Sequence, residues 1–476
     1  MARPVIVWFR NDLRLDDNPA VVAVARSGAP LVALYALDDD SPGPWRMGAA
    51  SRWWLHHSLT ALGADLARLG VPLTLRRGRA EFVLEGLIEE TGAAGVYWNR
   101  LYEPWAMRRD SEIKANLRAR GLTVESDNGA LLFEPSRLRN GQGNAFKVFS
   151  PFWRACLATG GPAAPLPAPK AMTAAPAPGG DALADWRLLP TKPDWAQGLR
   201  ESWRPGEADA RRRLVEFAAT RVGAYKVARD FPAGEGVSRL SPHLHFGEVS
   251  PRRVWAEVMA AAGEAGLPYL RELGWREFCH HLLVANPDMP ERALDKRFGA
   301  FPWRDDPAAL AAWQRGQTGY PLVDAAMREV WRTGYMHNRA RMVAASFLVK
   351  HLLLPWQVGE RWFWDTLVDA DLANNSGGWQ WVAGCGADAA PYFRVFNPVL
   401  QGEKFDPEGD YVRRNVPELA KLEARWIHRP WEAPADVLRR AGVRLGETYP
   451  GPIVDHARAR ARALAAFEEM RAAPPP

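Results

Sequence analysis

The chain has 476 residues, 47% hydrophobic and 24% charged, a soluble globular composition in a chain too long for one ordinary core. It holds no run of about 18 apolar residues, so no membrane span is expected. Three cysteines (Cys156, Cys279, Cys385) with no CxxC pair argue against a disulfide framework or a zinc site. The net charge of +6 hints at a polyanionic partner, although Arg-rich proteins can carry it for no functional reason.

Twenty-two tryptophans are the outlier. Most belong in cores, and an excess also suits stacking on flat ligands or electron transfer through rings. The N-terminus enters a strand-like run at once, with no signal-peptide layout, so a cytoplasmic location is expected.

Residues 1–127 alternate strand and helix. Strands are expected at 5–9, 31–37, 73–78, 95–99 and 122–126, and helices at 18–27, 49–69, 80–91 and 105–120. That pattern predicts an α/β N-terminal domain, a five-stranded doubly wound parallel sheet. No GxGxxG follows the first strand, so ordinary Rossmann dinucleotide binding is not indicated. Residues 128–204 read as an interdomain linker, Pro/Ala-rich at 160–180, that wraps the surface. Residues 205–476 read as an all-α domain, with helices at 206–221, 250–263, 268–285, 307–315, 320–333, 337–352, 359–368 and 453–471.

Four patches stand out. In 225–251, Ser238, Arg239 and Ser241 offer hydroxyls and a guanidinium to a phosphate, although serines before proline also cap helices. In 271–283, Glu272, Trp275 and Arg276 share one helix face and suit the edge and face of a base; a surface ion pair beside a core tryptophan is the plainer reading. His280 and His281 lack metal-ligand spacing and read as core or surface residues. In 334–353, Asn338 and Met342 lie one turn apart. The fourth, DADLANNSGGWQW (369–381), gathers residues that propagate helix poorly and reads as a loop for close backbone or ligand approach, or as a helix-capping loop beside an aromatic cluster.

WFRNDLRLDDN (8–18), RDFPAGEGVSRLSPHLHFGEVSPR (229–252), ELGWREF (272–278), GQTGYPLVDAAMR (316–328), MHNRARM (336–342), DADLANNSGGWQW (369–381) and the stretch 390–419 resemble the photolyase/cryptochrome family over nearly the whole chain. The resemblance implies an antenna domain over 1–127 and a helical domain over 205–476 that binds FAD and DNA. It places Tyr225 and the loop Val237, Ser238, Arg239, Leu240 and Ser241 at the flavin phosphates, with Val237 where many relatives have Thr. Arg276, Asn338, Asp369 and Asp371 would line the flavin, and Asn375 would sit opposite flavin N5, where plant-type cryptochromes carry Asp.

Glu272, Trp275, Asn338, Met342 and Trp381 would form the dimer pocket. Arg229, Arg339, Gln401 and Lys404 would meet the DNA around it. Trp303, Trp356 and Trp379 match the family's electron-transfer chain. The implied activity is light-driven repair of cyclobutane pyrimidine dimers in UV-damaged DNA by a monomer. A cryptochrome-like blue-light receptor and a (6-4) photolyase are the alternatives.

The antenna implied is methenyltetrahydrofolate stacked on Trp53 or Trp54, with 8-hydroxy-5-deazaflavin or an empty site as alternatives. The Asn-Glu pair that holds folate in some relatives is replaced by Trp105-Ala106. Asn415 stands where relatives commonly have an aromatic residue. No metal is expected.

Overall fold

The computed structural model describes residues 2–388 and 393–472; residues 390–392 of the 390–419 stretch, and 473–476 at the C-terminal end, lie outside them. Five strands, β1 (Val5–Phe9), β2 (Leu31–Leu37), β3 (Leu73–Arg77), β4 (Gly95–Asn99) and β5 (Thr123–Asp127), form one parallel sheet in the order β3-β2-β1-β4-β5. Val5 lies opposite Leu31 on one side and Gly95 on the other. The crossovers are α1 (Pro19–Ser27), α2 (Ala49–Arg68), α3 (Ala80–Thr91) and α4 (Pro104–Ala119). Helices cover both faces, so β1 and β2 are buried along their whole length and read as unbroken apolar runs.

Beyond the sheet the chain is helical: α5 (Phe149–Ala158), α6 (Gln197–Ser202), α7 (Glu207–Thr220), α8 (Tyr225–Ala228), α9 (Ser241–His245), α10 (Pro251–Ala262) and α11 (Leu267–Ala285). There follow α12 (Pro307–Gln314), α13 (Pro321–Thr333), α14 (Asn338–Ser346), α15 (Trp356–Thr366), α16 (Leu372–Ala383), α17 (Pro398–Phe405) and α18 (Asp410–Asn415). Three more helices, Ala424–Ile427, Ala435–Ala441 and His456–Ala472, complete the described chain.

The chain divides into two compact units. One comprises Met1–Gly223, Ser238–Pro287 and Val368–Ala373; the other comprises Ala224–Val237, Asp288–Leu367 and Asn374–Pro476. Residues 128–223 and α9 to α11 therefore pack with the sheet.

Within the first unit, the motif WFRNDLRLDDN is a clamp. The buried Arg14 guanidinium donates to the backbone oxygens of Asp17 (2.7 Å), Gly129 (2.7 Å) and Gly247 (2.9 Å). The Asp16 carboxylate takes Arg253, the Asp17 carboxylate takes Arg252, and Glu207 accepts from the Leu15 and Asp16 amides. Gly247 has φ +66°, and a Cβ there would overlap the backbone of Asn11 and Asp12, so the close approach needs glycine. The Pro/Ala-rich segment is pinned: Leu166 pairs with Asp17, Thr173 and Ala175 bond Leu31, and Asp181 bonds Leu75.

The stretch 369–381 corrects the reading of it as a loop, because helix α16 begins at Leu372. Tertiary bonds override weak propensity there. The buried Gln380 amide donates to the Met289 and Arg292 carbonyls and accepts from Leu294 N–H, and Ser376 donates to Glu360. Asn415 also gains an explanation. It is buried, donates to the Tyr411 carbonyl and accepts from Arg332 at 2.9 Å, anchoring a guanidinium that an aromatic side chain could not.

Candidate functional site

The sheet's switch point lies between the C-terminal ends of β1 and β4, where open α/β sheets usually bind ligands. Polar and aromatic side chains of this chain pair with one another there. Arg10 pairs with Asp110 at 2.5 Å, and the Arg10 and Arg109 guanidinium carbons lie 4.5 and 4.9 Å from the Trp8 ring centroid. Asn99 donates to Asp12 and Asn18 at 2.6 and 2.8 Å.

Trp53 and Trp54 are 1% and 0% exposed, which corrects their assignment as an antenna face. Helix α2 turns both inward. The Trp54 indole donates to Glu248 at 3.0 Å among Trp203, His243 and Phe246, and Trp53 packs on His57. A sequence shows aromatic density but not which side of a helix is covered. Among residues 1–127, the tryptophans that keep surface are Trp45 and Trp105.

The first unit also holds Ser238 to Ser241 and α11. Ser238 Oγ accepts from the Tyr269 hydroxyl at 3.0 Å and from Leu240 N–H at 3.3 Å. Arg239 has φ +53° and lies 4.4 Å from the Trp203 ring. A non-glycine residue in that region is strained, and such strain clusters at ligand clamps. Leu240 is buried and Ser241 is exposed at the start of α9.

On α11, Glu272, Trp275 and Arg276 are partly exposed. One face of Trp275 is stacked on Phe149 at 3.9 Å and 6°. Gly274 lets α11 close on α5, since a Cβ there would overlap the Trp153 ring. The Arg276 guanidinium donates to the Ala130 carbonyl (2.9 Å) and pairs with Glu277. The buried Glu277 accepts from Leu132 and Phe133 N–H, and burial pushes its carboxyl up to about 7.

Asp369 and Asp371 precede α16 in the same unit. Asp371 lies between His280 (3.4 Å) and His245 (3.7 Å). Burial raises the Asp371 pKa, but the His280 charge and the hydrogen-bonding His245 and His280 rings outweigh it and hold the carboxyl well below its usual range.

In the second unit α8, α14 and α17 converge. Tyr225 is buried under the Arg229 guanidinium, 5.3 Å from its ring centroid. Arg339 pairs with Asp230 at 2.5 Å and lies 4.1 Å from the Phe405 ring. Lys404, exposed, flanks the same ring at 5.1 Å. The buried Gln401 Oε1 has no hydrogen-bond partner among the described residues. Asn338 is exposed in the first turn of α14, its amide 4.0 Å from the Met342 sulfur, so the expected shared face exists. Val237 and Trp381 are partly exposed.

Asn375 donates from Nδ2 to the Glu360 carbonyl at 2.9 Å, leaving Oδ1 as its acceptor. Burial pushes the Glu360 carboxyl up to about 8, so it is neutral at pH 7. The Asn375 surroundings therefore gain no charge from it.

Trp379 is 2% exposed, and its Nε1 has no partner among the described residues. Its ring contacts are Phe363 (5.0 Å) and Trp313 (6.2 Å), neither singled out from the sequence. Trp356 is 1% exposed on α15, and Trp303 is partly exposed, 4.4 Å from Phe301. Phe149, His245, His280, Phe363 and Glu360 were also missed. Phe149 lies in the stretch read as an interdomain linker, and the two histidines meet Asp371 only through the fold. No group of residues suited to hold a metal ion occurs among the described residues.

Residues 5–170 match the family model described as DNA photolyase, and residues 269–469 match the FAD binding domain of DNA photolyase. The deoxyribodipyrimidine photo-lyase of Agrobacterium fabrum is 52% identical over 473 residues, 98% of each chain. Cryptochrome-1 of Arabidopsis thaliana is 40% identical, over 98% of this chain and 70% of that protein. The crystal structure of a class III photolyase from Agrobacterium tumefaciens superposes with a TM-score of 0.96 and 51% identity, over 99% of this chain and 98% of that one. The chain is a member of the photolyase/cryptochrome family and carries that family's FAD-binding domain.

Proposed function

We propose that this protein repairs cyclobutane pyrimidine dimers in DNA with blue or near-UV light. The observation that carries this reading is Asn375, an amide backed by a neutral Glu360, which favours repair over signalling. The chain's residues fit a flavin dinucleotide in kind. Asp371 is held ionised as an acceptor, Asn375 Oδ1 accepts, and Ser241 offers a hydroxyl and Arg239 a strained, cationic loop to phosphates. Tyr225, Val237, Ser238, Leu240, Arg276, Asn338 and Asp369 complete the set proposed to hold it.

Bound and fully reduced, FAD supplies light absorption and an excited-state electron that opens the cyclobutane ring and then returns. The chain has to position, stack and exclude water, and no general acid–base pair is needed. Trp275 and Trp381 grip the flipped dimer, Glu272 and Asn338 bond its base edges, and Met342 fills the pocket wall. Arg229, Arg339, Gln401 and Lys404 meet the flanking strand. Because Arg339 is already paired with Asp230, exposed Lys404 is the freer phosphate contact. Lys404→Ala should weaken binding of damaged and undamaged DNA alike and reduce the salt slope by about 1, measured by fluorescence anisotropy at several salt concentrations.

Trp379, Trp356 and Trp303 carry electrons inward during photoreduction. Among the described residues the Trp379 N–H has no acceptor, so the oxidised indole keeps its proton and passes the hole on. Trp303→Phe should slow photoreduction of oxidised flavin while leaving repair by pre-reduced enzyme intact. Loss of both would remove the triad assignment.

An antenna such as methenyltetrahydrofolate would stack on Trp45 or Trp105, the tryptophans of residues 1–127 that keep surface. The domain reading is antenna over 1–127 and FAD and DNA binding over 205–476. Among the described residues no helix is long and apolar enough to cross a membrane. We take the protein to act as a cytoplasmic monomer. Light-dependent loss of a defined dimer from an oligonucleotide tests the whole proposal.

A further inference from the structure

His280 lies on α11 one turn beyond Arg276, and its two ring nitrogens face different acceptors. Nδ1 is 3.0 Å from the Arg276 backbone oxygen, and Nε2 is 3.4 Å from Asp371 Oδ2. A neutral imidazole has one N–H. The carbonyl can only accept, so Nδ1 carries a proton, and a carboxylate opposite Nε2 requires a second. The imidazolium satisfies both. The pair is nearly sealed, with His280 7% exposed and the Asp371 side chain 12% exposed. A buried carboxylate without a cation would take up a proton and lose its acceptor character.

Among the described residues, three segments place charged and titratable groups near this pair. Helix α11 supplies Arg276, Glu277, Cys279 and His281, α9 supplies His245, and the residues before α16 supply Asp369 and Asp371. Arg276 is engaged with Ala130 and Glu277. The Cys279 thiol is pushed up to about 12 by burial and the Asp371 charge, and burial pulls His281 down to about 4, so both are neutral at pH 7. Burial lowers His280, but the Asp371 charge outweighs it and leaves His280 above its ordinary value.

We propose that His280 is a positioning residue for the cofactor: as a buried imidazolium it keeps the Asp371 carboxylate ionised and oriented as an acceptor toward the flavin. The proposal rests on the reading that Asp371 lines the flavin. It makes flavin retention dependent on pH. A histidine whose folded pKa is raised contributes fully below its unfolded value of about 6.5, and that contribution is lost as pH rises through the folded value. FAD should therefore be released more readily as pH rises through that folded value.

The test follows FAD release from the full-length holoprotein between about pH 6 and 9 for wild type, His280→Gln, His280→Arg and Asp371→Asn. His280→Gln should release FAD about 10-fold faster at pH 7 and lose the pH dependence. His280→Arg should restore retention and hold it flat with pH. If His280→Gln retains FAD like wild type while Asp371→Asn does not, the proposal falls and the flavin-lining role of Asp371 stands. If neither change alters retention, that role falls with it. Should His280→Gln fail to fold, histidine 15N spectra of the wild-type holoprotein decide. Two protonated ring nitrogens on His280 at neutral pH support the imidazolium, and a bare Nε2 overturns it.

Discussion

Replacing Trp275 by alanine is expected to weaken binding of dimer-containing DNA by about 1–3 kcal/mol, the range for losing one aromatic platform under a base. The indole is held flat against Phe149 at 3.9 Å, so it is a preorganised surface whose outer face meets a ligand without an entropic cost of ordering the ring. Trp275→Phe should recover most of the loss, because a smaller ring can keep the same stack. Affinity for undamaged duplex should hardly change, since it is set by phosphate contacts. Competition anisotropy with damaged and undamaged oligonucleotides separates the two effects. Equal affinity of wild type and Trp275→Ala for the lesion would remove Trp275 from the pocket.

Gly359→Ala is expected to destabilise the protein by about 1–3 kcal/mol and to impair photoreduction. The sign is diagnostic. Alanine in a helix interior ordinarily gains up to about 1 kcal/mol over glycine. On α15 a Cβ at 359 would overlap the Trp379 ring and the Leu348 side chain, so the ring or the helix must move. Trp379 has little room, with Phe363 at 5.0 Å and Trp313 at 6.2 Å. Thermal melting and the rate of light-induced flavin reduction report the two consequences. A variant that melts higher and photoreduces normally would show that α15 does not pack on Trp379 in this way.

Much of the fold could be read from periodicity. Strands buried on both faces are short continuous apolar runs, and all five begin and end within a residue of their expected limits. Residues 369–381 misled because propensity is local, whereas Gln380 and Ser376 are held by residues distant in sequence. Trp53 and Trp54 misled for a related reason: composition counts aromatic rings but cannot say that Glu248, Trp203 and Phe246 will cover Trp54 or that Trp53 will pack on His57. The site was legible chiefly through long motifs. Asn338 and Met342 share a face by helix spacing alone, but Phe149 under Trp275 and the two histidines on Asp371 depend on tertiary contacts that no spacing rule encodes.

The most direct test is blue-light treatment of an oligonucleotide carrying one thymine cyclobutane dimer, using reduced purified protein, with a (6-4) oligonucleotide in parallel. Dimer loss that requires light, with the (6-4) lesion untouched, is the result expected. Repair of the (6-4) lesion alone, or flavin photoreduction with no repair of either, would contradict it and favour a (6-4) enzyme or a light sensor respectively.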